Sequence, residues 1–193
     1  MTVYDYIAGA VLWANLPVPI YWLVLHTRVQ FWRRRILAAY ATAVVTAWGS
    51  VSLLGWKLAP QLLEAAAVPL GRKLAGAGLV LVDAWVLAQV ERQLGGRRLV
   101  GQAELAGRGE IKTDGYYALV RHPRYAAMML STLGACLIAA GPLLWGIAAG
   151  WACAVLLMIR MEERELRARF GEAYANYCRR VPALLPRLRR GAA

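Results

Sequence analysis

Residues 115–125 read Gly-Tyr-Tyr-Ala-Leu-Val-Arg-His-Pro-Arg-Tyr, and a long apolar run follows them. Proline is favoured in the first turn of a helix, where its missing N–H is not needed, so Pro123 predicts a helix start. Arg121 and His122 then lie at the helix N-terminus, where unpaired N–H groups and a partial positive charge attract anions. The stretch therefore predicts a site for a carboxylate or phosphate. The alternative is that both residues only anchor a membrane helix at the interface.

The composition of the chain indicates an integral membrane protein. Of its 193 residues, 60% are hydrophobic, and the mean hydropathy is +0.44. Soluble domains contain about 45–50% apolar residues. The apolar residues form blocks close to the length of about 20 residues that crosses a bilayer. The net charge of +12 lies between these blocks, which fits a cytoplasmic membrane surface and argues against nucleic acid as a partner.

The apolar blocks predict an all-α polytopic membrane protein with five transmembrane helices in a single membrane domain, 1–193. The blocks cover residues 3–25, 36–56, 74–90, 125–140 and 143–159. The N-terminal helices occupy 1–90, and a loop, a helical hairpin and a tail occupy 91–193.

Two of the blocks carry residues that predict local features. Asn15, Pro17 and Pro19 lie in the first block and predict a kink or break near its middle, because proline removes a helical hydrogen bond. Gly76 and Gly78 lie in the third block and predict close packing against a neighbouring helix, because small residues let two backbones approach.

The distribution of basic residues orients the chain. Lysine and arginine number four in 26–35, three in 57–73, seven in 91–124 and nine in 160–193. Five spans place 20 of the 23 basic residues on one side, which the positive-inside rule makes cytoplasmic. The N-terminus is then outside, and the tail forms a cytoplasmic amphipathic helix. The first block lacks a basic leader and a cleavage site, so we expect it to be a retained span.

A tight turn at Gly141-Pro142 predicts a hairpin that returns the chain to the side of Arg121 and His122. Glu162-Glu163 then falls at the cytoplasmic boundary, where a carboxylate pair can bind an ammonium or sulfonium group. A zwitterionic amino acid group would fit between the Arg-His pair and the glutamates. The glycine-rich loop 107–115 would close over it.

The tail carries apolar and aromatic residues at helical spacing, which predicts one stripe on one helix. The stripe consists of Leu166, Phe170, Tyr174 and Tyr177. The alternative is a solvated surface helix, on which Glu163 pairs with Arg167 four residues on.

Asp83 is an acid inside the third apolar block, which makes it a functional candidate by default. A structural role is the favoured interpretation, in which it satisfies a polar group such as Asn15 of another helix. The cysteines Cys136, Cys153 and Cys178 are scattered and show no metal-binding or disulfide spacing, which indicates packing roles.

The candidate functional residues follow one another in a recognisable order along the chain. They are Gly115-Tyr116, Arg121-His122-Pro123-x-Tyr125, the hairpin, Glu162-Glu163, Leu166, Phe170-Gly171, Tyr174, Tyr177, Val181-Pro182 and Pro186. This order and spacing resembles the isoprenylcysteine carboxyl methyltransferase family, and it is similar to the related phospholipid N-methyltransferases.

The resemblance implies a membrane enzyme of five or more spans that uses S-adenosylmethionine and releases S-adenosylhomocysteine. It implies cofactor-binding roles for Gly115, Tyr116, Leu119, Arg121, His122, Pro123, Tyr125, Glu162 and Glu163. It implies catalytic roles for Arg180, Glu163 and Tyr174, and no metal. Family members often have a proline after the first glycine and a small glycine after the motif tyrosine. Tyr116 and Ala126 replace them here, which bears on loop geometry.

The expected function is methyl transfer to a lipophilic acceptor at the cytoplasmic face of an inner or plasma membrane. A carboxylate of an isoprenoid or lipid-like substrate is the favoured acceptor, and an amine or thiol is the alternative. Two other classes stay open: a nicotinamide-dependent membrane reductase of the sterol-reductase type, and a non-enzymatic subunit that binds anionic lipid. The expected partners are the bilayer and the lipophilic substrate.

Overall fold

The computed structural model describes residues 2–27, 31, 35–63, 68–94, 110–139 and 141–187. These residues are helical, as predicted, apart from short connections. The helices are α1 (Val3–Asn15), α2 (Val18–Thr27), α3 (Ile36–Leu62), α4 (Leu70–Leu94), α5 (Pro123–Ala139), α6 (Pro142–Phe170) and α7 (Glu172–Arg180), and a 3-10 turn covers Gly115–Ala118.

The first apolar block is broken where its prolines predict, between α1 and α2. Proline has no N–H, so Pro19 cannot donate to the carbonyl of Asn15 as the fourth residue along a helix normally would. The indole N–H of Trp151, on α6, donates to that carbonyl over 3.0 Å. In lipid an unpaired carbonyl is costly, so Trp151 satisfies a group that the break would otherwise expose.

Four helical segments are long and apolar enough to cross a membrane, judged by length and composition over the described residues. They are Val3–Leu25, Leu37–Leu58, Leu70–Gln93 and Pro142–Phe170. The remaining predicted span, α5, has 17 residues and is therefore about 26 Å long at 1.5 Å per residue. It is a little shorter than the hydrocarbon thickness of about 30 Å. The count of five spans stays a prediction.

Helix α5 lies at the centre of the bundle, between α1 and α4 and in contact with both. It runs antiparallel to α4, because Gly134 lies beside Gly76 and the side chain of Arg72 reaches the carbonyls near the end of α5. The Arg72 Nε donates to Leu137 O over 3.1 Å and Nη2 donates to Cys136 O over 3.3 Å. A cation at a helix C-terminus both pairs the last carbonyls and complements the helix dipole.

The contact between α4 and α5 is made by glycine. A Cβ atom built on Gly76 would lie 2.6 Å from Gly134 O, and one built on Gly134 would lie 2.6 Å from Gly76 O. The close packing predicted at Gly76 is therefore confirmed. It is wrong at Gly78, where a Cβ would meet no atom of the described residues within 4 Å. Two residues along a helix turn the side chain by about 200°, to the opposite face.

The aromatic stripe predicted on one helix is divided between two. Helix α6 continues from the apolar block to Phe170, and Gly171 then turns the chain with φ of +53°. That backbone conformation favours glycine, and it permits α7 to fold back. Tyr174 and Tyr177 of α7 still pack with Leu166 and Phe170 of α6, so the stripe is a cluster at the join of two helices.

Replacing Gly134 with alanine is expected to destabilise the protein, because the new methyl group would press on a backbone oxygen of α4 that cannot move alone. Overpacking of this kind costs about 1–3 kcal/mol. The measurement is thermal unfolding of the purified protein in detergent. The matched control is Gly150→Ala on α6, where a Cβ meets nothing within 4 Å in the part of the chain that the structure describes. Equal melting temperatures for the two variants would contradict the close approach of α4 and α5.

Candidate active site

The loop before α5 begins at Gly115, whose left-handed backbone conformation favours glycine. Gly115 has φ of +56°, and a Cβ atom there would lie 1.7 Å from the amide nitrogen of Gln93 at the end of α4. Tyr116 then packs edge-on against Trp85 of α4, with ring centroids 5.7 Å apart. The predicted cofactor residues Gly115 and Tyr116 therefore seat the loop on α4. Leu119 is exposed.

Pro123 begins α5 as the sequence predicts. The backbone N–H groups just before it, however, do not point to an open anion site. Arg121 N donates to Pro182 O over 2.8 Å, and His122 N donates to Ala183 O over 2.9 Å. The segment after α7 therefore pairs with the segment before α5, and this pairing holds the tail against the start of α5.

The centre of the site is Glu163 Oε1, on which three side-chain nitrogen atoms converge. Arg121 Nε and Nη2 donate to it over 2.9 and 2.6 Å, and His122 Nε2 lies 3.2 Å away. The side chains of Glu163 and Arg121 are only 13% and 11% exposed. Arg167 approaches the other oxygen, Oε2, at 3.6 Å. The i,i+4 pair of the surface-helix interpretation exists, but Glu163 is largely enclosed.

This geometry joins two groups that the sequence suggested would hold opposite ends of a ligand. Arg121 and Glu163 bind each other directly, because opposite charges brought out of water attract strongly and each needs a partner. Arg121 Nη1 also donates to Val181 O over 2.5 Å and to Cys178 O over 3.3 Å. Arg121 thus connects α5, α6 and the end of α7.

Arg121 stays protonated and positively charged. Burial alone would lower the pKa of its guanidinium, but the hydrogen bond and the negative charge of Glu163 outweigh burial and raise that pKa above its usual value. Arg121 is therefore a permanent cation whose donors face protein oxygens, which makes it a positioning group.

His122 stands between the two glutamates. Its Nδ1 lies 3.9 Å from Glu162 Oε2 and its Nε2 lies 3.2 Å from Glu163 Oε1, and its side chain is 5% exposed. The imidazole stacks on Tyr125, with ring centroids 5.7 Å apart. Glu162 has the looser contact of the two acids and a 23% exposed side chain, so it is the acid with room for a ligand.

Tyr174 and Tyr177 of α7 close one side of the site, and their hydroxyl groups differ. Tyr177 Oη donates to Tyr117 O over 2.6 Å, which ties α7 to the 3-10 turn, and burial raises the pKa of Tyr177 to about 12. Tyr174 Oη is buried and has no hydrogen-bond partner among the described residues. Burial, and after it the charge of Glu163, raise the pKa of Tyr174, so its hydroxyl is a protonated donor near the acids.

The structure brings five of the predicted site residues into contact and leaves others apart. The five are Arg121, His122, Tyr125, Glu162 and Glu163, and the hydroxyl of Tyr174 lies within the electrostatic influence of Glu163. Arg180 is exposed in the last turn of α7. The loop 107–115 that was predicted to cover the site lies partly outside the described residues.

Sequence reasoning missed three features of the site. These are the carbonyls of Cys178 and Val181 that hold Arg121, the bond from Tyr177 to the 3-10 turn, and the packing of Trp85 and Gln93 against the loop. Backbone acceptors leave no trace in a sequence. Tyr177 itself could have been recognised as a site residue, because it belongs to the aromatic stripe.

The described residues form a bundle of helices that carries an Arg-His-Glu cluster where a hairpin meets the tail helix. The phospholipid methyltransferase family model matches residues 72–173, which is more than half of the chain and contains Arg121, His122 and both glutamates. The chain belongs to the phospholipid methyltransferase family. The predicted resemblance is thereby confirmed.

Several of the curated relatives carry the name methanethiol S-methyltransferase. The chain is 38% identical over 85 residues to methanethiol S-methyltransferase 2 of Bradyrhizobium diazoefficiens, covering 44% of this chain and 32% of that protein. It is 28% identical over 162 residues to methanethiol S-methyltransferase of Pseudomonas deceptionensis, covering 80% and 59%. It is 29% identical over 174 residues to the Mycobacterium tuberculosis protein of that name, covering 81% and 68%. No solved structure matches significantly.

The two tyrosines provide a matched pair of variants. Tyr177→Phe removes a hydroxyl that donates to Tyr117 O, so it is expected to destabilise the protein by about 1 kcal/mol. Tyr174→Phe removes a hydroxyl that has no partner among the described residues, so it is expected to leave the stability of the unliganded protein unchanged or raised. The measurement is thermal unfolding without ligand. An equal loss of stability in both variants would contradict the different roles of the hydroxyl groups.

Proposed function

We propose that this chain is an S-adenosylmethionine-dependent membrane methyltransferase whose site is built on Arg121, His122, Glu162, Glu163 and Tyr174. The observation that carries the proposal is the cluster around Glu163, because it lies inside the region that matches the family. The cluster also lies where α6 leaves its apolar section, which suits a soluble donor and an apolar acceptor that arrive from different phases.

The residues of the site fit the cofactor. Tyr174 Oη is a buried donor without a partner among the described residues, and an unsatisfied buried hydroxyl is costly unless a ligand accepts from it. Glu162 is a half-buried carboxylate with room for a cation, and the ammonium group of the cofactor is such a cation. When bound, the cofactor would supply a methyl group already activated on a sulfonium.

The protein's task is then to position two partners and to exclude water. Arg121 fixes the carboxylate of Glu163, and His122 connects the two acids. Tyr174 and Glu162 are the residues with capacity to bind the cofactor. A thiol or amine acceptor must lose a proton, for which His122 or Glu162 is the candidate base. A carboxylate acceptor needs no base.

A thiol is the acceptor that we propose first. The relatives named above carry the name methanethiol S-methyltransferase, and thiolate is the reactive form of such an acceptor. A lipophilic carboxylate is the second candidate. It is favoured by an apolar groove of about 200 Å³ between α2 and α6, whose lining ends at Met161, the neighbour of Glu162. The groove is larger than a small thiol requires.

The membrane arrangement is part of the proposal. The basic residues in 91–124 and in the tail flank the cluster, which supports a cytoplasmic site, five spans and an outside N-terminus. Arg121 and Glu163 then lie on the same side of the membrane because one hairpin connects them. The comparisons favour neither the nicotinamide-dependent reductase nor the lipid-binding subunit.

S-adenosylhomocysteine is expected to raise the melting temperature of the detergent-purified protein, whereas NADPH is not. Mass action at a ligand concentration of about 100 times Kd stabilises the native state by about 2.7 kcal/mol. Glu163→Gln and His122→Ala are expected to abolish this shift, because they remove the centre of the cluster and the link between its acids. A shift with NADPH alone would contradict the proposal.

The matched control is Glu172→Gln, which breaks an exposed ion pair with Arg179 away from the cluster and should keep the full shift. Circular dichroism of each unliganded variant is used to check that the variant is folded. Normal binding by both site variants would show that the cluster is not the cofactor site.

The acceptor is decided by the product that forms from methyl-labelled cofactor. Purified protein is incubated with the label and either methanethiol or a prenylated thioether carboxylate. A labelled volatile sulfide that is stable to base is expected for a thiol acceptor, whereas label released by base as methanol indicates a carboxyl methyl ester. The Glu163→Gln variant serves as the blank. Label only in the ester would overturn the thiol proposal and support the second candidate.

A further inference from the structure

Asp83 is an acid in the third apolar block, and its partners come from the start and the middle of α5. Arg124 Nη1 pairs with Asp83 Oδ1, and Ser131 Oγ donates to Asp83 Oδ2 over 2.6 Å. The side chain of Asp83 is 13% exposed and that of Arg124 is 23% exposed. A charge at this depth persists only with a partner, so the pair constrains both helices.

The pair belongs to a polar network that crosses the bundle. Asn15 Nδ2 donates to Ser131 Oγ over 2.9 Å and approaches Thr132 Oγ1 at 3.2 Å. Trp151 connects α6 to the same point through the Asn15 carbonyl. The expected contact between Asp83 and Asn15 is thus made through Ser131. The network links α1, α4, α5 and α6, and Arg124 is its end nearest the cluster around Glu163.

Arg124 occupies a position that needs Asp83. It lies in the first turn of α5, where the positive end of the helix dipole repels a cation. Asp83 offsets this repulsion from across the α4 interface. On the other side, Arg121 N and His122 N are bound to the carbonyls of Pro182 and Ala183. The segment 121–124 is therefore held from two sides, by α4 through one ion pair and by the tail through the backbone.

We propose that Asp83 and Arg124 are positioning residues that hold the start of α5 so that His122 meets Glu162 and Glu163. The inference rests on the proposed function where its test measures cofactor binding. Without the ion pair, Arg124 is repelled by the helix dipole and the first turn of α5 loses its charged contact with α4. His122, two residues earlier, then loses the fixed position from which it contacts both acids.

The test measures the affinity of the purified full chain for S-adenosylhomocysteine by calorimetry. Asp83→Asn and Arg124→Gln are each expected to raise Kd about tenfold, and the double variant is expected to match either single variant because the residues act as one unit. The matched control is Ser131→Ala, which removes the other hydrogen bond of Asp83 and leaves Arg124 in place. It is expected to lower the melting temperature and to keep Kd within about twofold.

A second readout does not need the cofactor. Hydrogen exchange of peptides covering 119–126 is expected to accelerate in Asp83→Asn and Arg124→Gln and to stay unchanged in Ser131→Ala. If the unmodified protein binds no S-adenosylhomocysteine but these exchange differences appear, the proposed function fails and the positioning role stands. If Ser131→Ala raises Kd and exchange as much as Asp83→Asn does, or if Asp83→Asn changes neither, the positioning role is wrong.

Discussion

The ion pair between Arg121 and Glu163 holds the functional end of this molecule together. Glu163 is carried by α6, and Arg121 precedes α5, so the pair closes the two ends of one hairpin. The remaining donor of Arg121 reaches the carbonyls of Cys178 and Val181, which adds the end of α7. Removing either partner would leave a charge largely out of water, and such a loss is much more costly than loss of an exposed pair.

The rest of the bundle follows from the need to pair every polar group in a membrane. Trp151 serves the carbonyl that Pro19 leaves without a donor, Arg72 serves the last carbonyls of α5, and Asp83 serves Arg124. Each of these bonds connects two helices, because the unpaired group lies on one and its partner on another. The same bonds that remove an energetic cost also fix how the helices pack around α5.

Particular residues show how far sequence reasoning extends. Pro17 and Pro19 predicted the break in the first block, Gly76 predicted a close helix contact, and Pro123 predicted the start of α5, because each effect is a property of the local backbone. The close packing predicted at Gly78 and the prediction that the aromatic stripe lies on one helix were wrong. Whether a glycine faces a neighbour, and where Gly171 turns the chain, depend on partners that lie far away in sequence.

The sequence by itself determined the class of the protein: helical blocks of membrane length, a hairpin, and an Arg-His and Glu-Glu pattern that matches a methyltransferase family. These features can be predicted from hydropathy, residue spacing and residue type. Only the tertiary structure decided which charges meet. It joined Arg121 to Glu163, left Tyr174 Oη without a partner among the described residues, and tied Asp83 to Arg124. The physical reason is that hydrogen bonds and ion pairs depend on distances of a few ångströms between remote segments, and helix packing sets those distances.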